Sequence, residues 1–494
     1  MTPTIEDVAG QCLSLVASGA ERMQADDPDN ALRAFATALV ATQLAPQDEV
    51  WELRALAVFN MSRLRLRKRN HEEARKLREQ GLAWLENASG PPQIPARLMP
   101  LFNELMAEVL ADIGEFRRAI PYCEAAILTS SELFRVPAGI AAALWRAGKC
   151  YVRVGLRDHA AVPLRAAAKM FGTLSGDPRL AAVLLDLGNA LRKTVPAEAE
   201  QCYKDAAEFH VARAQLESAA PAWVNLGVLC SEQGRYVESL AYYEKALRVR
   251  EKSPGTPPER MGTLLNNIAN VHRRMKQFED ALGSVDRARG FLEPVGGHSL
   301  ACAYGTRGLI FRDWGRDEDS VEWFRKSAAE HEKQPSPNLD TLCEELENEA
   351  AALERLGRLD EAGGARNRLD SVRASIAAIA PSGAEAGDVK PPTEGAVLIE
   401  LDFGSRAGTS YGRSDALALE DRLFDLLEEH NAGYSGGRVV VPEATTLMFY
   451  GDDAEAMFKV LEPALLADPA CVGARVTVRQ GDQHREVMLP RKVM

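Results

Sequence analysis

The sequence predicts an α-solenoid of about nine helical hairpins followed by a small α+β ferredoxin-like sandwich, on three observations. A short signature recurs over the first three quarters of the chain. The apolar positions within it follow a helical period, and after residue 395 that period gives way to the alternation of strands.

The clearest copy runs Trp223-Val-Asn-Leu226-Gly227-Val-Leu-Cys230, then Gly234, Ser239, Tyr243 and Ala246. The next is Leu265-Asn-Asn-Ile268-Ala269-Asn-Val-His272, then Ala281, Val285 and Ala288. Leu144, Ala147, Gly148, Tyr151, Gly155, Ala160, Leu164 and Ala167 fall in the same frame. Each copy reads as two antiparallel helices that meet at a tiny residue. One such pair cannot bury its apolar face alone, so the copies must stack. The central small residues are Gly19, Ser62, Ala107, Gly148, Gly188, Gly227, Ala269, Gly308 and Ala350, spaced by 39 to 45 residues. The pattern is strong from Ala107 to Ala350. It is weak in the first two copies, where Arg65 and Arg78 take normally apolar places, and the Gly188 copy is one residue short near Pro196.

These residues resemble the tetratricopeptide repeat (TPR), and the long helices are similar to those of kinesin light chain-like solenoids. The resemblance covers roughly residues 1–370 and implies a right-handed array whose first helices line a concave groove. The expected division is a solenoid over 1–380, a Pro/Gly-rich linker over 381–395 and a second domain over 396–494.

That second domain resembles no family by its residues. Val397, Ile399, Leu401 and Phe403 alternate as a half-buried strand, and a helix follows from Ser414 with Ala416, Leu419, Leu423, Leu426 and Leu427 on one face. Gly433 to Gly437 is expected to break it. Strands are expected at Arg438–Val441 and Thr446–Tyr450, a helix from Ala454 to Leu465, a strand at Arg475–Arg479 and a hairpin extension at Glu486–Leu489. The order β-α-β-β-α-β is that of a split βαβ sandwich. Its first and last strands should be neighbours, so Glu400 and Asp402 would face Arg475 and Arg479. Either these charges pair on a wet surface, or they form a docking face for a partner or for the solenoid.

Composition narrows the class further. The 494 residues carry a net charge of −12, which argues against a nucleic-acid partner. No apolar run is long enough for a membrane span, and no secretory signal opens the chain. Eight scattered cysteines without a Cys-x-x-Cys pair fit cytoplasmic usage. Among the eight histidines no two lie at i, i+3 or i, i+4, so no metal site and no cofactor is expected. No phosphate loop, nucleophile elbow or zinc-protease motif occurs, and the expectation is a non-enzyme.

Residues flanking the small position on the first helices should point into the groove. They include Arg146, Lys149, Asp186, Asn189, Arg192, Asn225, Asn266, Asn267, Asn270, Arg273 and Arg312, with Asn60 and Asn348 on the same track. Asn is a poor helix former, so its recurrence inside helices suggests a use, and its amide offers a donor and an acceptor to an extended main chain. Thr263–Arg273 resembles the asparagine ladder of kinesin light chain-like and O-linked N-acetylglucosamine transferase-like grooves. The resemblance implies a protein or peptide partner, with the arginines favouring acidic side chains or a free C-terminal carboxylate. Alternatively, these asparagines bridge adjacent repeats. Val224, Val228 and Leu309 interrupt the track. The expected role is a scaffold or adaptor with a C-terminal docking or regulatory module. A peptide-sensing regulator and an immunity or defence adaptor are the alternatives, and a C-terminal enzyme fed by the solenoid is a third.

Overall fold

The computed structural model describes residues 5–24, 27–42, 51–68, 70–86, 99–133, 137–174, 176–334, 338–379, 395–402, 413–430, 432–441, 444–481 and 483–490. The expected linker falls outside them except for Gly395, which already belongs to a strand. The chain divides into two compact units, 1–177 with 392–494, and 178–391.

The helices of the first unit form four hairpins: α1 (Ile5–Gln24) with α2 (Pro28–Ala41), α3 (Trp51–Arg67) with α4 (His71–Glu86), α5 (Met99–Asp112) with α6 (Phe116–Leu133), and α7 (Pro137–Arg153) with α8 (Arg157–Thr173). The second unit holds five more. They are α9 (Arg179–Leu191) with α10 (Pro196–Val211), α11 (Leu216–Glu232) with α12 (Tyr236–Lys252), α13 (Pro258–Arg274) with α14 (Phe278–Leu292), α15 (His298–Asp313) with α16 (Asp317–Glu332), and α17 (Leu339–Arg355) with α18 (Leu359–Ile379).

The small residues work as their spacing implies. A β-carbon at Gly148, Gly188, Gly227 or Gly308 would collide with Leu164, Tyr203, Tyr243 or Phe324 of the second helix. The large partner follows the glycine by sixteen residues at Gly227 and by fifteen at Gly188, which accommodates the short copy within its own hairpin. Tyr203 and Tyr243 are fully buried in these notches. Around the third hairpin of the second unit, Leu264, Leu265, Ile268, Ala269, Val285 and Ala288 close one continuous core.

The α9–α10 turn does without a left-handed residue, whereas the turns that follow α5, α7, α11, α13, α15 and α17 use one to return the chain. Gly234 supplies it at φ +75°, and its neighbour Arg235 donates its backbone N–H to the Cys230 carbonyl at 2.8 Å. Lys276 holds the same place at φ +59° with a β-carbon, and Gln277 returns its N–H to His272 at 2.9 Å. Lys276→Gly should therefore stabilise the second unit by about 1 kcal/mol. Thermal unfolding would show this as a rise of roughly 2–4 °C. No rise would mean that the left-handed lysine is unstrained.

The C-terminal domain is β1 (Gly395–Asp402), α19 (Arg413–Glu429), β2 (Tyr434–Val441), β3 (Ala444–Gly451), α20 (Ala454–Ala467), β4 (Arg475–Gln480) and β5 (Gln483–Met488). The sheet order β2-β3-β1-β4 is the ferredoxin-like one, with β5 added at the β4 edge, and all pairings are antiparallel. Val397, Ile399, Leu447, Phe449, Val476 and Val478 face α19 and α20 in one core. One local expectation fails. The helix does end before Gly433, but the strand expected from Arg438 starts at Tyr434, and its ladder absorbs the glycines through a register shift between Ser435 and Gly437. Phe403 lies outside the described residues.

Candidate functional site

In both units the first helices of successive hairpins carry polar side chains that reach the next first helix. In the second unit, Asn189 on α9 accepts from Tyr203 Oη at 2.8 Å and from Asn225 Nδ2 on α11 at 3.2 Å. On α13, Asn266, Asn270 and Arg273 follow a one-face spacing. Asn270 Nδ2 donates to Thr306 Oγ1 of α15 at 3.0 Å, and Arg273 Nε donates to Asn270 Oδ1 at 3.3 Å. Arg312 Nη1 reaches Asn348 Oδ1 on α17 at 2.7 Å. The arginines also find acids. Arg192 pairs with Glu232 and Arg273 with Asp313, and Arg312 bonds Asp313 Oδ1 at 2.8 Å. The expected positive lining is thus offset by carboxylates of its own chain. Asp186 stands on α9, one turn before Asn189 and Ala190.

Asn266 and Asn267 differ from the rest. Asn266 Oδ1 is buried with no hydrogen-bond partner among the described residues. Asn267 is half-buried and makes no side-chain hydrogen bond there. Together they offer two amides on one turn of α13 that the protein leaves largely unsatisfied.

In the first unit, Arg146 on α7 donates to Glu108 Oε2 of α5 at 3.3 Å, and Arg63 on α3 holds Glu108 at 2.6 Å and Glu104 at 2.9 Å. Burial works against the Glu108 charge, but the guanidiniums of Arg63 and Arg146 outweigh it and hold the carboxyl below its usual value. Lys149 is exposed and lies 5.2 Å from the Trp145 ring centre. Asn60 Nδ2 turns back to the Leu56 carbonyl at 2.8 Å.

The face of the C-terminal sheet opposite α19 and α20 rests on α8. Asp158, in the first turn of α8, takes both guanidinium nitrogens of Arg479, with Nη2 to Oδ2 at 2.6 Å. Tyr450 Oη donates to the same Oδ2 at 3.3 Å, and the Tyr450 ring stacks 6.4 Å from His159. The side chains of Arg479 and Asp158 are 9% and 10% exposed, so this is a buried pair. Burial pushes the Tyr450 phenol well above its usual value, with the Asp158 charge adding to it. Met448 and Thr446 are buried on the same face. Beside them a cleft of about 450 Å³ opens between α8 and the sheet, lined by Arg165, Lys169 and Met170 on one side and by Glu400, Thr446 and Thr477 on the other. Of the two expected cross-strand pairs, Glu400 does stand opposite Arg475. Arg479, in contrast, turns to the helix, and the Asp402 side chain lies outside the described residues.

Sequence reasoning missed Asp158 and the buried Glu345 of α17. Glu345 Oε2 has no hydrogen-bond partner among the described residues, and the carboxyl occupies the space that a side chain at Gly305 would fill. Burial raises its pKa from 4.5 to about 8. The available signal was a carboxylate at a helix position whose neighbours Leu342 and Leu346 are core.

The tetratricopeptide repeat family model matches residues 218–289, the stretch from α11 to α14. No curated protein matches the chain by sequence. Among solved structures, the apo form of RapI is 14% identical, covers 74% of this chain and 99% of its own, and gives a TM-score of 0.52. The apo form of the quorum sensor NprR from B. thuringiensis is 12% identical with the same coverages and a TM-score of 0.52. The TPR-like repeats of a Podosopora anserina putative kinesin light chain are 15% identical over 40% of this chain and 97% of that one, at a TM-score of 0.34. No helix among the described residues is long and apolar enough to cross a membrane. Residues 218–289 thus carry the tetratricopeptide repeat, and the helical part of this chain is a solenoid of hairpins similar to it.

Proposed function

We propose that the chain is a non-catalytic protein-interaction scaffold that holds an extended peptide or protein segment along the first helices of residues 179–355. The observation that carries this reading is the pair Asn266 and Asn267, whose amide groups the protein leaves short of partners. A guest main chain in extended form supplies a donor and an acceptor in register with such amides. Asn189, Asn225, Asn270 and the arginines at 192, 273 and 312 flank them, bonded across repeats. A guest carboxylate would compete with Glu232 and Asp313 for those arginines, so main-chain recognition leads and acidic preference is secondary. The solenoid over 1–380, the linker over 381–395 and the C-terminal domain over 396–494 are proposed as its working parts, in the cytoplasm. The C-terminal domain serves as the docked regulatory module.

The test is a peptide-display selection on the purified chain, with free and amidated C-termini, followed by affinity measurement on Asn266→Ala/Asn267→Ala. The variant should bind selected peptides at least tenfold more weakly, about 1.4 kcal/mol, with thermal unfolding unchanged because neither amide holds a repeat. Equal affinity in variant and native chain would move the guest elsewhere. A second reading, a small-peptide sensor, is favoured by the likeness in fold to the quorum sensor NprR. Solution scattering separates the two, because a sensor should change its radius of gyration when peptide binds and a scaffold should not.

A further inference from the structure

We propose that His298, Cys302 and His331 form a zinc-binding site on the fourth hairpin of the second unit, with a fourth position open to solvent. His298 opens α15 and Cys302 follows one turn later on the same face, so Cys302 Sγ lies 3.5 Å from His298 Nε2. His331 comes from the last turn of α16, and its ring centre is 5.3 Å from that of His298. One ligand atom from each of the three residues lies within 4.8 Å of the other two. A tetrahedral zinc with bonds of 2.0–2.3 Å sets its ligand atoms roughly 3.3–3.8 Å apart. The His298 Nε2–Cys302 Sγ pair, at 3.5 Å, already has that spacing.

The second observation is independent of the spacing. His331 is 0% exposed, yet neither of its ring nitrogens has a hydrogen-bond partner among the described residues. Buried polar atoms in folded proteins are nearly always paired, so a fully buried imidazole with two unpaired nitrogens, one of them facing a thiol and a second imidazole, is built for a bond the chain alone does not supply. The adjacent carboxylate does not supply it. Glu330 accepts from the Gly297 N–H at 3.1 Å and from Lys333 Nζ at 2.8 Å.

The donor set narrows the metal. One thiolate and two imidazoles suit zinc, whereas calcium and magnesium require oxygen ligands. On binding, the Cys302 thiol gives its proton to solvent and sulfur forms the metal bond, so uptake releases one proton. The site ties the start of α15 to the end of α16. A search for two histidines on one helix overlooks it, because the ligands come as His-x-x-x-Cys on one helix and a histidine on the next.

The experiment is a cobalt titration of the tag-free full chain followed by optical absorption, then displacement by zinc. One equivalent of cobalt should give a thiolate-to-metal charge-transfer band and the d–d bands of a tetrahedral ion, both lost when zinc is added. Cys302→Ser should remove the charge-transfer band, and Cys302→Ser and His298→Ala should each weaken zinc binding by roughly 100-fold or more. These positions are not fully buried, and circular dichroism is the check that both variants fold. His331→Asn is then a confirming third variant. Cobalt bound without a thiolate band, a band that survives Cys302→Ser, or no binding by the native chain would overturn the site.

Discussion

Asp158→Ala is expected to cost roughly 3–5 kcal/mol, because it leaves the Arg479 guanidinium buried without a counter-charge. The same change removes the acceptor of the Tyr450 hydroxyl, on a face already closed by Met448 and Thr446. Hydrogen exchange would locate the loss, with protection falling in α8, β3 and β4 while the core between the sheet and α19 keeps its own. Arg475→Ala, four residues from Arg479 on the same strand, should cost less than about 1 kcal/mol, since it opposes Glu400 in solvent. Replacing both partners, Asp158→Leu with Arg479→Met, should restore most of the docking, because an apolar pair of similar volume pays no desolvation penalty. Unchanged protection in Asp158→Ala would show that the ion pair does not hold the domain on the helices.

The second large effect is a pH dependence centred on Glu345. Its folded-state pKa of about 8 lies above the ordinary 4.5 because burial opposes the charge. Between those values the folded chain retains a proton that the unfolded chain has released. Stability from this group is therefore greatest below about 4.5, falls as pH rises, and is fully lost above about 8. At about 1.4 kcal/mol per pKa unit the full shift bounds the effect near 5 kcal/mol, and relaxation of the site reduces it to a few. Glu345→Gln keeps the shape and removes the titration. The melting temperature of the native chain should drop from pH 5 to pH 9 by several degrees more than that of Glu345→Gln. Parallel profiles would place the carboxyl in water.

How much could be read beforehand depended on whether an interaction was local. Gly227 and Tyr243 belong to one hairpin, so spacing alone paired them, and the missing residue of the Gly188 copy reappears as the nearer Tyr203. The strand order of the C-terminal domain followed from alternation and turn residues within a hundred positions. The groove residues were placed on the first helices by the repeat frame, but their bonds were not. Whether Asn270 meets a guest or Thr306 depends on how α13 lies on α15, and no pattern within a single helix encodes that. The charged sheet face around Arg479 admits two readings from sequence, pairing in water or docking on a partner or the solenoid, and no pattern within the strand names Asp158 on a helix of the fourth hairpin as its partner. The glycines before Arg438 misled for a different reason. A bulge in β2 uses the same residue that commonly ends a helix.

The Asp158–Arg479 pair also has a history written into its sequence separation of 321 residues. Synthesis at ~5–20 residues per second leaves α8 waiting on the order of 20–60 s for its sheet. During that interval the ribosome-bound chain presents a carboxylate, the His159 ring and an uncovered helix face to whatever is nearby. A message that ends early never covers them. The cover of α8 is therefore in place only once the strands between residues 395 and 488 have been made.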